Sequence, residues 1–194
     1  PSEEFIYAID RLFKINNTCL IADEVQAGFS RTGTFFAYQK YHIEPDIITM
    51  AKGMGNGFPI GGILAHSSIE AKYGMLGTTF GGNHLACSAS LAVLDVLKEE
   101  GLQKHAKELG EYFIGCAKKI PSVKKIKGRG LMLGLEFDFE VSALRKELIY
   151  QQHIFTGGSS NKNLLRILPP LTLQIRHIDL FFKKLKKALK AINV

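Results

Sequence analysis

Two stretches of the sequence decide the fold. The first reads Leu20-Ile-Ala-Asp23-Glu-Val-Gln26, and the second reads Asp46-Ile-Ile-Thr-Met-Ala-Lys52-Gly-Met-Gly-Asn-Gly57. Each contains a short apolar run, typical of a strand that is buried on both faces of a parallel sheet. The first run ends on an acid, and the second is followed by a lysine and several glycines. Because ligands of open α/β sheets bind at the carboxyl ends of the strands, Asp23 and Lys52 are the first candidates for a functional site.

The first hundred residues alternate between helical and strand-like patterns. Helices are predicted over 3–15, 34–41 and 84–100, and strands over 18–22, 47–50 and 63–65. This order predicts an α/β fold, in which residues 1–100 are the second half of a large domain built on a mostly parallel, doubly wound sheet.

Gly101 marks a boundary, after which the pattern changes. Helices are predicted over 102–119 and 141–152 and at the C-terminus, and strands over 123–126, 131–137 and 164–168. Residues 101–194 are therefore predicted to form a small C-terminal α+β domain.

Composition is that of a globular protein, with 194 residues, 46% hydrophobic and 22% charged. Much of the net charge of +7 lies in the last twelve positions, where five lysines (Lys183, Lys184, Lys186, Lys187 and Lys190) alternate with apolar residues at helical spacing. This pattern favours an amphipathic helix with a solvated lysine face over a nucleic-acid surface, because no aromatic or arginine cluster accompanies the lysines. The sequence contains no apolar run long enough to span a membrane.

The three cysteines, Cys19, Cys87 and Cys116, are too few and too scattered for a disulfide framework. They lie in apolar runs, which predicts buried free thiols and a reducing, cytoplasmic compartment. The six histidines lack metal-ligand spacing, and neither a complete dinucleotide-binding motif nor a Walker motif is present. Serine hydrolase and cysteine protease patterns are also absent.

Lys52 and Asp23 together suit pyridoxal phosphate chemistry. The lysine can link covalently to the cofactor aldehyde, and a carboxylate can keep the pyridine nitrogen protonated. The apolar strand predicts that Asp23 is buried, and each unit by which it raises the pKa of that nitrogen corresponds to about 1.4 kcal/mol. The alternatives are a loop lysine at a strand end and an aspartate that caps the next turn. Glu24 should point to the opposite face of its strand, so the two acids are not a dyad.

A second candidate site lies in Gly77-Thr-Thr79-Phe-Gly-Gly-Asn83, which leads into a predicted helix. Hydroxyl groups near the start of a helix can bind a phosphate. An ordinary helix N-cap explains the same pattern and remains the alternative.

These motifs, taken together, resemble the class III aminotransferases of subgroup II and fold type I. The residues that carry the resemblance are Asp23-Glu-Val-Gln-Ala-Gly-Phe-Ser-Arg-Thr-Gly33, Pro45-Asp46, Ala51-Lys52-Gly53, Gly57-Phe-Pro-Ile-Gly61, Thr78-Thr-Phe-Gly-Gly-Asn83, Gly128-Arg-Gly-Leu-Met-Leu-Gly134 and Leu165-Arg166 with Pro169-Pro170-Leu171. Within the class the sequence is most similar to the acetylornithine aminotransferases. The ornithine, succinylornithine and 4-aminobutyrate aminotransferases are the close alternatives.

The resemblance implies a role for each of six residues. Lys52 would carry pyridoxal 5′-phosphate and shuttle a proton, Asp23 would pair with the pyridine nitrogen, Val25 would pack on the ring, and Gln26 would bind its phenolic oxygen. Thr79 would reach the phosphate of the partner subunit in a homodimer, and Arg166 would hold a substrate carboxylate. Arg166 as a surface or structural arginine is the alternative.

The reaction implied by the resemblance is transfer of an ω-amino group, from a donor such as N-acetylornithine to 2-oxoglutarate, as part of arginine biosynthesis. The family also has an N-terminal half that this sequence lacks, and the first residue is Pro1 rather than methionine. The chain is therefore expected to be the C-terminal half of a longer enzyme and to hold the cofactor poorly by itself. A fragment that keeps the fold without turnover is the second hypothesis, and a decarboxylase-type use of the same cofactor is a third.

Overall fold

The computed structural model describes residues 1–75 and 77–193, and the chain divides into two compact units. Unit 1 contains Pro1–Ser30 and Thr34–Gly101, whereas unit 2 contains Arg31–Gly33 and Leu102–Val194. The tripeptide Arg31–Gly33 thus belongs to the second unit although both of its neighbours along the chain belong to the first. The assignment of residues 1–100 and 101–194 to a large and a small domain stays a prediction.

Unit 1 is built from two α-helices, two 3-10 helices and one sheet. Its elements are α1 (Glu3–Ile15), β1 (Ile21–Asp23), a 3-10 helix (Ala37–Tyr41), β2 (Ile47–Met50), a 3-10 helix (Lys52–Met54), β3 (Gly62–Ala65) and α2 (His84–Glu99). The sheet has the order β1-β2-β3, with β1 parallel and β3 antiparallel to β2. The predicted strand 47–50 and the predicted first helix agree with the structure.

Strand β1 is shorter than its apolar run. The Thr18 N–H donates to the Phe13 carbonyl at the end of α1, and the Leu20 N–H donates to an Asp46 carboxylate oxygen at 2.7 Å. These bonds keep residues 18–20 out of the regular strand ladder, which begins at Ile21. Strand β3 is antiparallel because the segment that joins it to β2 is shorter than the crossover of about a dozen or more residues that a parallel partner needs.

Unit 2 packs three helices with a three-stranded antiparallel sheet. Its elements are α3 (Leu102–Ala117), β4 (Lys125–Arg129), β5 (Met132–Glu136), α4 (Ser142–Tyr150), β6 (Leu164–Ile167) and α5 (Ile175–Ala191). The strand order is β4-β5-β6. A continuous apolar core joins the sheet to the helices, and its fully buried members include Phe113, Leu131, Leu135, Leu144, Leu148, Leu165, Ile178 and Leu185.

Helix α5 confirms the predicted amphipathic terminal helix. Its apolar face is buried in the core, whereas Lys183, Lys186, Lys187 and Lys190 are exposed. Lys184 is half-buried and donates a hydrogen bond to the Gln152 carbonyl. The described residues contain no helix long and apolar enough to cross a membrane.

The predicted burial of the cysteines is wrong. Cys19 and Cys87 are exposed, and Cys116 is half-buried. An apolar neighbourhood in the sequence does not bury a side chain that points away from the packed face of its own element. This is the case for Cys87, because Ala86 and Ser90 are buried on α2.

Candidate active site

The candidate site begins at the carboxyl edge of the β1–β2 pair. The two strands are parallel, and Asp23 lies opposite Thr49 in the register. The polypeptide leaves β2 at Met50 and reaches Lys52 two residues later. Strands 21–23 and 47–50 thus deliver the predicted acid and the predicted lysine to the same edge of one sheet.

Asp23 is exposed, so its predicted burial is wrong. Ile21, which points to the same side of β1, is 55% exposed, so that side of the strand is largely open to solvent. The Oδ1 atom of Asp23 accepts hydrogen bonds from the Val25 N–H at 3.1 Å and from the Thr49 hydroxyl at 3.2 Å. Asp23 therefore does cap the following turn through Oδ1. Among the described residues Oδ2 accepts no hydrogen bond, which leaves one oxygen for a ligand.

Thr49 is a further candidate site residue, and the sequence analysis did not identify it. Its hydroxyl orients the Asp23 carboxylate across the strand pair. The signal that could have identified it is a polar residue inside the apolar run Ile47–Met50, placed in register with Asp23 by parallel pairing.

Glu24 points to the opposite side of β1, as predicted. It is only 3% exposed, and its Oε1 atom accepts a hydrogen bond from the Tyr38 N–H at 2.9 Å. Burial raises the pKa of the Glu24 carboxyl, backbone N–H groups of Ala37 and Tyr38 oppose that rise, and the nearby charge of Asp23 adds to it. Glu24 thereby connects the loop after Asp23 to the first turn of the 3-10 helix Ala37–Tyr41 through hydrogen bonds.

The Lys52 backbone is held in an unusual conformation. Its φ of 45° lies in the left-handed region, where residues other than glycine are uncommon and where functional residues cluster. The Lys52 carbonyl accepts hydrogen bonds from the N–H groups of Gly55 and Asn56, each at 3.2 Å. A Cβ atom on Gly53 would meet the Phe29 Cβ at 3.3 Å, so the backbone next to Lys52 packs closely on that aromatic residue.

The Lys52 side chain is not enclosed by the described residues. The side chain is exposed, and no described carboxylate forms an ion pair with it. The Lys52 amine is therefore available to a ligand as far as the described residues are concerned. Gly55, one turn further on, has no room for a side chain, because a Cβ atom there would lie 2.2 Å from the Phe58 carbonyl oxygen.

Val25 and Gln26 follow Asp23 directly and are both half-buried. The Val25 N–H binds Asp23, which ties the start of this loop to the strand end. Among the described residues, the Gln26 side chain forms no hydrogen bond, so its amide is available to a ligand.

The segment that contains Thr79 is exposed and precedes α2. Thr78 accepts a hydrogen bond from the Gly81 N–H at 3.0 Å, and Asn83 caps the helix by accepting one from the Ala86 N–H at 2.9 Å. The N-cap interpretation of this sequence is therefore correct for Asn83. The cap does not involve Thr79, whose hydroxyl forms no hydrogen bond within residues 1–75 and 77–193.

Arg166 lies in unit 2, on β6, between the buried residues Leu165 and Ile167. Its backbone pairs with Gly157 through hydrogen bonds of 2.9 and 3.1 Å. The side chain is exposed, and a Cβ atom on Gly157 would lie 2.8 Å from its Nε atom. No carboxylate in the described parts of the chain pairs with this guanidinium. No group of three or more possible metal ligands occurs among the described residues either.

Comparison with known proteins defines the class of this chain. A family model described as "Aminotransferase class-III" matches residues 1–189, and the chain belongs to that family. The expected fold type I architecture is likewise confirmed by solved aminotransferase structures. An ornithine aminotransferase from Toxoplasma gondii superposes with a TM-score of 0.90 at 29% identity, covering 100% of this chain and 48% of that one. An S-selective transaminase from Arthrobacter sp. gives a TM-score of 0.90 at 26% identity, covering 99% and 48%.

The curated relatives are closer in sequence. The acetylornithine aminotransferase of Aquifex aeolicus is 43% identical, over 97% of this chain and 49% of that protein. The acetylornithine aminotransferase of Bacillus subtilis is 39% identical, over 97% and 50% respectively. The chain thus spans about half the length of the curated relatives it matches.

Pyridoxal 5′-phosphate is the cofactor of this family, and one Toxoplasma gondii structure is described with it at the active site. The donor set at the edge of the β1–β2 pair fits this group. Asp23 Oδ2 is a free acceptor for a protonated ring nitrogen, and Lys52 offers a primary amine.

Proposed function

We propose that the full-length enzyme containing this chain transfers the ω-amino group of N-acetylornithine to 2-oxoglutarate, giving N-acetylglutamate semialdehyde and glutamate. The observation that carries the proposal is the parallel register of β1 and β2, which brings Asp23 and Lys52 to one sheet edge. The 43% identity to the Aquifex aeolicus acetylornithine aminotransferase supports this choice of donor.

Asp23 and Lys52 have the central chemical roles in this proposal. When bound, pyridoxal phosphate would supply an electron sink for the C–H bond that breaks at the carbon bearing the ω-amino group. Asp23 keeps the ring nitrogen protonated through Oδ2, while Thr49 and the Val25 N–H hold its other oxygen in place. Lys52 would link to the cofactor through its amine and would move the proton that leaves the carbon bearing the ω-amino group. Its left-handed backbone and the Phe29 contact next to it fix the point from which its side chain extends.

The remaining proposed contacts orient the cofactor and the substrate. Val25 packs against the ring, and Gln26 binds the phenolic oxygen. Thr79 binds the phosphate of the partner subunit's site in a homodimer. Arg166 holds a substrate carboxylate, for which its planar guanidinium is suited. The exposure of Thr79 and Arg166, and the absence of protein partners for both among the described residues, support these roles.

The donor is tested by steady-state kinetics of the full-length enzyme with N-acetylornithine, ornithine, succinylornithine and 4-aminobutyrate, each with 2-oxoglutarate. We expect the highest kcat/KM for N-acetylornithine. Ornithine is the specific rival, because the Toxoplasma gondii ornithine aminotransferase superposes with a TM-score of 0.90. A higher kcat/KM for ornithine would replace the donor and keep the reaction class. Release of carbon dioxide without glutamate would instead indicate a decarboxylase.

The shared site is tested by mixing two inactive subunits, Lys52→Ala and Thr79→Val. If Thr79 serves the partner's site, a mixed dimer contains one site with both residues intact. Random mixing should then restore about a quarter of the wild-type activity. If Thr79 serves its own subunit, every site in the mixed dimer lacks one of the two residues and no activity returns. The absence of recovery in a mixture shown to exchange subunits therefore contradicts the shared site.

A cytoplasmic location is also part of the proposal. The exposed free thiols of Cys19 and Cys87 suit a reducing compartment. Fractionation of the source cells, with an enzyme assay on each fraction, tests it.

A further inference from the structure

The tripeptide Arg31–Gly33 follows the loop after Asp23 and belongs to unit 2. The Ser30 N–H donates to the Phe35 carbonyl at 3.1 Å, which closes the base of the loop within unit 1. The tripeptide between these two residues groups with Leu102–Val194. The hydrogen bonds of Arg31 lie at two strand ends, the entry to β5 and the exit from β6.

Arg31 joins those two strand ends. Its carbonyl accepts a hydrogen bond from the Leu131 N–H at 3.0 Å, and its Nη1 atom donates to the Leu131 carbonyl at 3.5 Å. The same Nη1 atom donates to the carbonyl of Pro169, two residues after β6 ends. No carboxylate among the described residues forms an ion pair with Arg31, so its partners in unit 2 are main-chain carbonyls. Burial of the guanidinium lowers the pKa of Arg31, in keeping with this enclosed position.

Glycines leave room for the tripeptide. Gly130 has a φ of 51°, and a Cβ atom there would lie 2.5 Å from the Thr32 carbonyl carbon and 2.8 Å from the Arg31 oxygen. Gly110 of α3 packs on Gly130 in turn, since a Cβ atom on Gly110 would lie 2.4 Å from the Gly130 oxygen. The main chain of Arg31–Gly33 therefore packs so closely on Gly130, and Gly130 on Gly110, that neither glycine has room for a side chain.

The carbonyl of Pro169 that Arg31 binds lies only three residues along the chain from the proposed substrate-binding residue, Arg166. Arg166 lies on β6, three residues before Pro169, and its own side chain has no protein partner to fix it among the described residues. What fixes the position of Arg166 is its backbone, through Gly157 on one side and β5 on the other. The Arg31 hydrogen bonds secure the entry to β5 and the segment that leaves β6 together.

We propose that Arg31 is a positioning residue, which sets the Arg166 guanidinium for a substrate carboxylate by holding Leu131 and Pro169 at the ends of β5 and β6. This inference rests on the proposed binding role of Arg166. It assigns no chemical step to Arg31, which acts on the substrate only through Arg166.

The experiment compares Arg31→Met with wild type in the full-length holoenzyme. We expect the KM for 2-oxoglutarate to rise on the order of tenfold, the loss typical of a weakened hydrogen bond to a charged group, while kcat changes little. The dissociation constant of glutarate, a dicarboxylate that cannot react, should rise by the same factor when measured by ligand-induced thermal shift. Arg176→Met is the matched control, because Arg176 is an exposed arginine of unit 2 and its loss should leave both constants unchanged.

A double-mutant cycle separates positioning from general destabilisation. If Arg31 acts through Arg166, the change Arg31→Met should add little to the glutarate dissociation constant once Arg166→Lys is present. If Arg31→Met does not fold, Gly130→Ala displaces the same tripeptide from its other side. Gly115→Ala in α3 is the control for that change, because a Cβ atom on Gly115 meets nothing within 4 Å.

The proposal is overturned if Arg31→Met or Gly130→Ala lowers the melting temperature and leaves glutarate binding unchanged. It is also overturned if the effects of Arg31→Met and Arg166→Lys on that binding simply add. Failure of the proposed function gives a different result, because an enzyme that does not transaminate lacks turnover in the wild type as well. If wild-type holoenzyme shows no glutarate-induced shift, Arg166 binds no dicarboxylate and the inference fails with it.

Discussion

Unit 2 buries its apolar side chains far more completely than unit 1. A single core in unit 2 joins all three helices to the sheet. In unit 1 the described buried apolar residues are Phe29, Phe36, Ile48, Ala86 and Leu97, and helix α1 has none. Large side chains such as Phe5, Leu12 and Ile21 are more than half exposed. The proposed covalent chemistry thus lies in the unit with the smaller described core, whereas most of the buried apolar side chains lie in the other.

The largest expected effect is on catalysis and comes from unit 1. Lys52→Ala in the full-length enzyme should lower kcat by at least about 10³-fold, because it removes both the nucleophile and the proton carrier. Lys186→Ala, at an exposed lysine of α5, should leave kcat unchanged. Steady-state transamination assays measure both. If Lys52→Ala retained a tenth of the activity, the chemistry would have to be assigned to another lysine.

The second effect is on stability and comes from unit 2. In the 194-residue chain, Leu135→Ala should lower the free energy of unfolding by about 2–5 kcal/mol, because it opens a cavity in the core. Leu12→Ala on the exposed face of α1 should change it by less than about 0.5 kcal/mol. Urea unfolding followed by circular dichroism measures both values. Similar losses for the two variants would contradict the contrast between the units.

The third effect concerns the chain by itself. The 194-residue chain should bind pyridoxal phosphate at least about 100-fold more weakly than the full-length enzyme, because Asp23 and Lys52 are both exposed to solvent in it and exposed charges interact weakly. A spectral titration of both proteins measures the ratio. Equal affinities would show that unit 1 already forms a complete cofactor site.

The smallest effect is a pH dependence at Glu24. Burial raises the pKa of this carboxyl above its ordinary value of 4.5, so the folded state favours the protonated form. The stability that Glu24 contributes is therefore full at a pH below 4.5 and is lost as the pH rises towards the pKa of the folded state. Glu24→Gln keeps an acceptor for the Tyr38 N–H and removes the charge.

The melting temperature of Glu24→Gln minus that of wild type, both measured in the full-length enzyme, should therefore increase as the pH increases from about 4 to about 8. Asp138→Asn, at an exposed acid of unit 2, serves as the control for removal of one carboxylate. A difference that shrinks with rising pH would mean that the folded protein stabilises the charged form of Glu24.

The sequence alone was sufficient to predict those helices and strands whose hydrophobic pattern is set by their own side chains. Strand β2 and helices α1 and α5 lie where the pattern predicts them. The two helices each have a polar and an apolar face, and the strand is a continuous apolar run of the right length. The antiparallel direction of β3 was not predicted, since it follows from the length of the segment 51–61 rather than from the strand's composition. The predicted start of β1 was too early. Hydrogen bonds to the Asp46 carboxylate and to the end of α1 keep residues 18–20 out of the strand.

The candidate site shows the same division. The positions of Asp23 and Lys52 at one sheet edge could be predicted, because parallel strands end together. The exposure of Asp23 and its bond to Thr49 could not be predicted, since both depend on what lies beside the strand. Nor does any local pattern reveal that Arg31–Gly33 packs with residues more than ninety positions away.

The most direct test of the central claim is to find where the cofactor is attached. The full-length holoenzyme is reduced with borohydride, digested, and analysed by peptide mass spectrometry. Borohydride fixes a lysine-bound pyridoxal group permanently, so the modified peptide reports the reactive residue. We expect the pyridoxyl label on the peptide that contains Lys52. Label on another lysine, or on none, would contradict the assignment of the active site to the edge where β1 and β2 end.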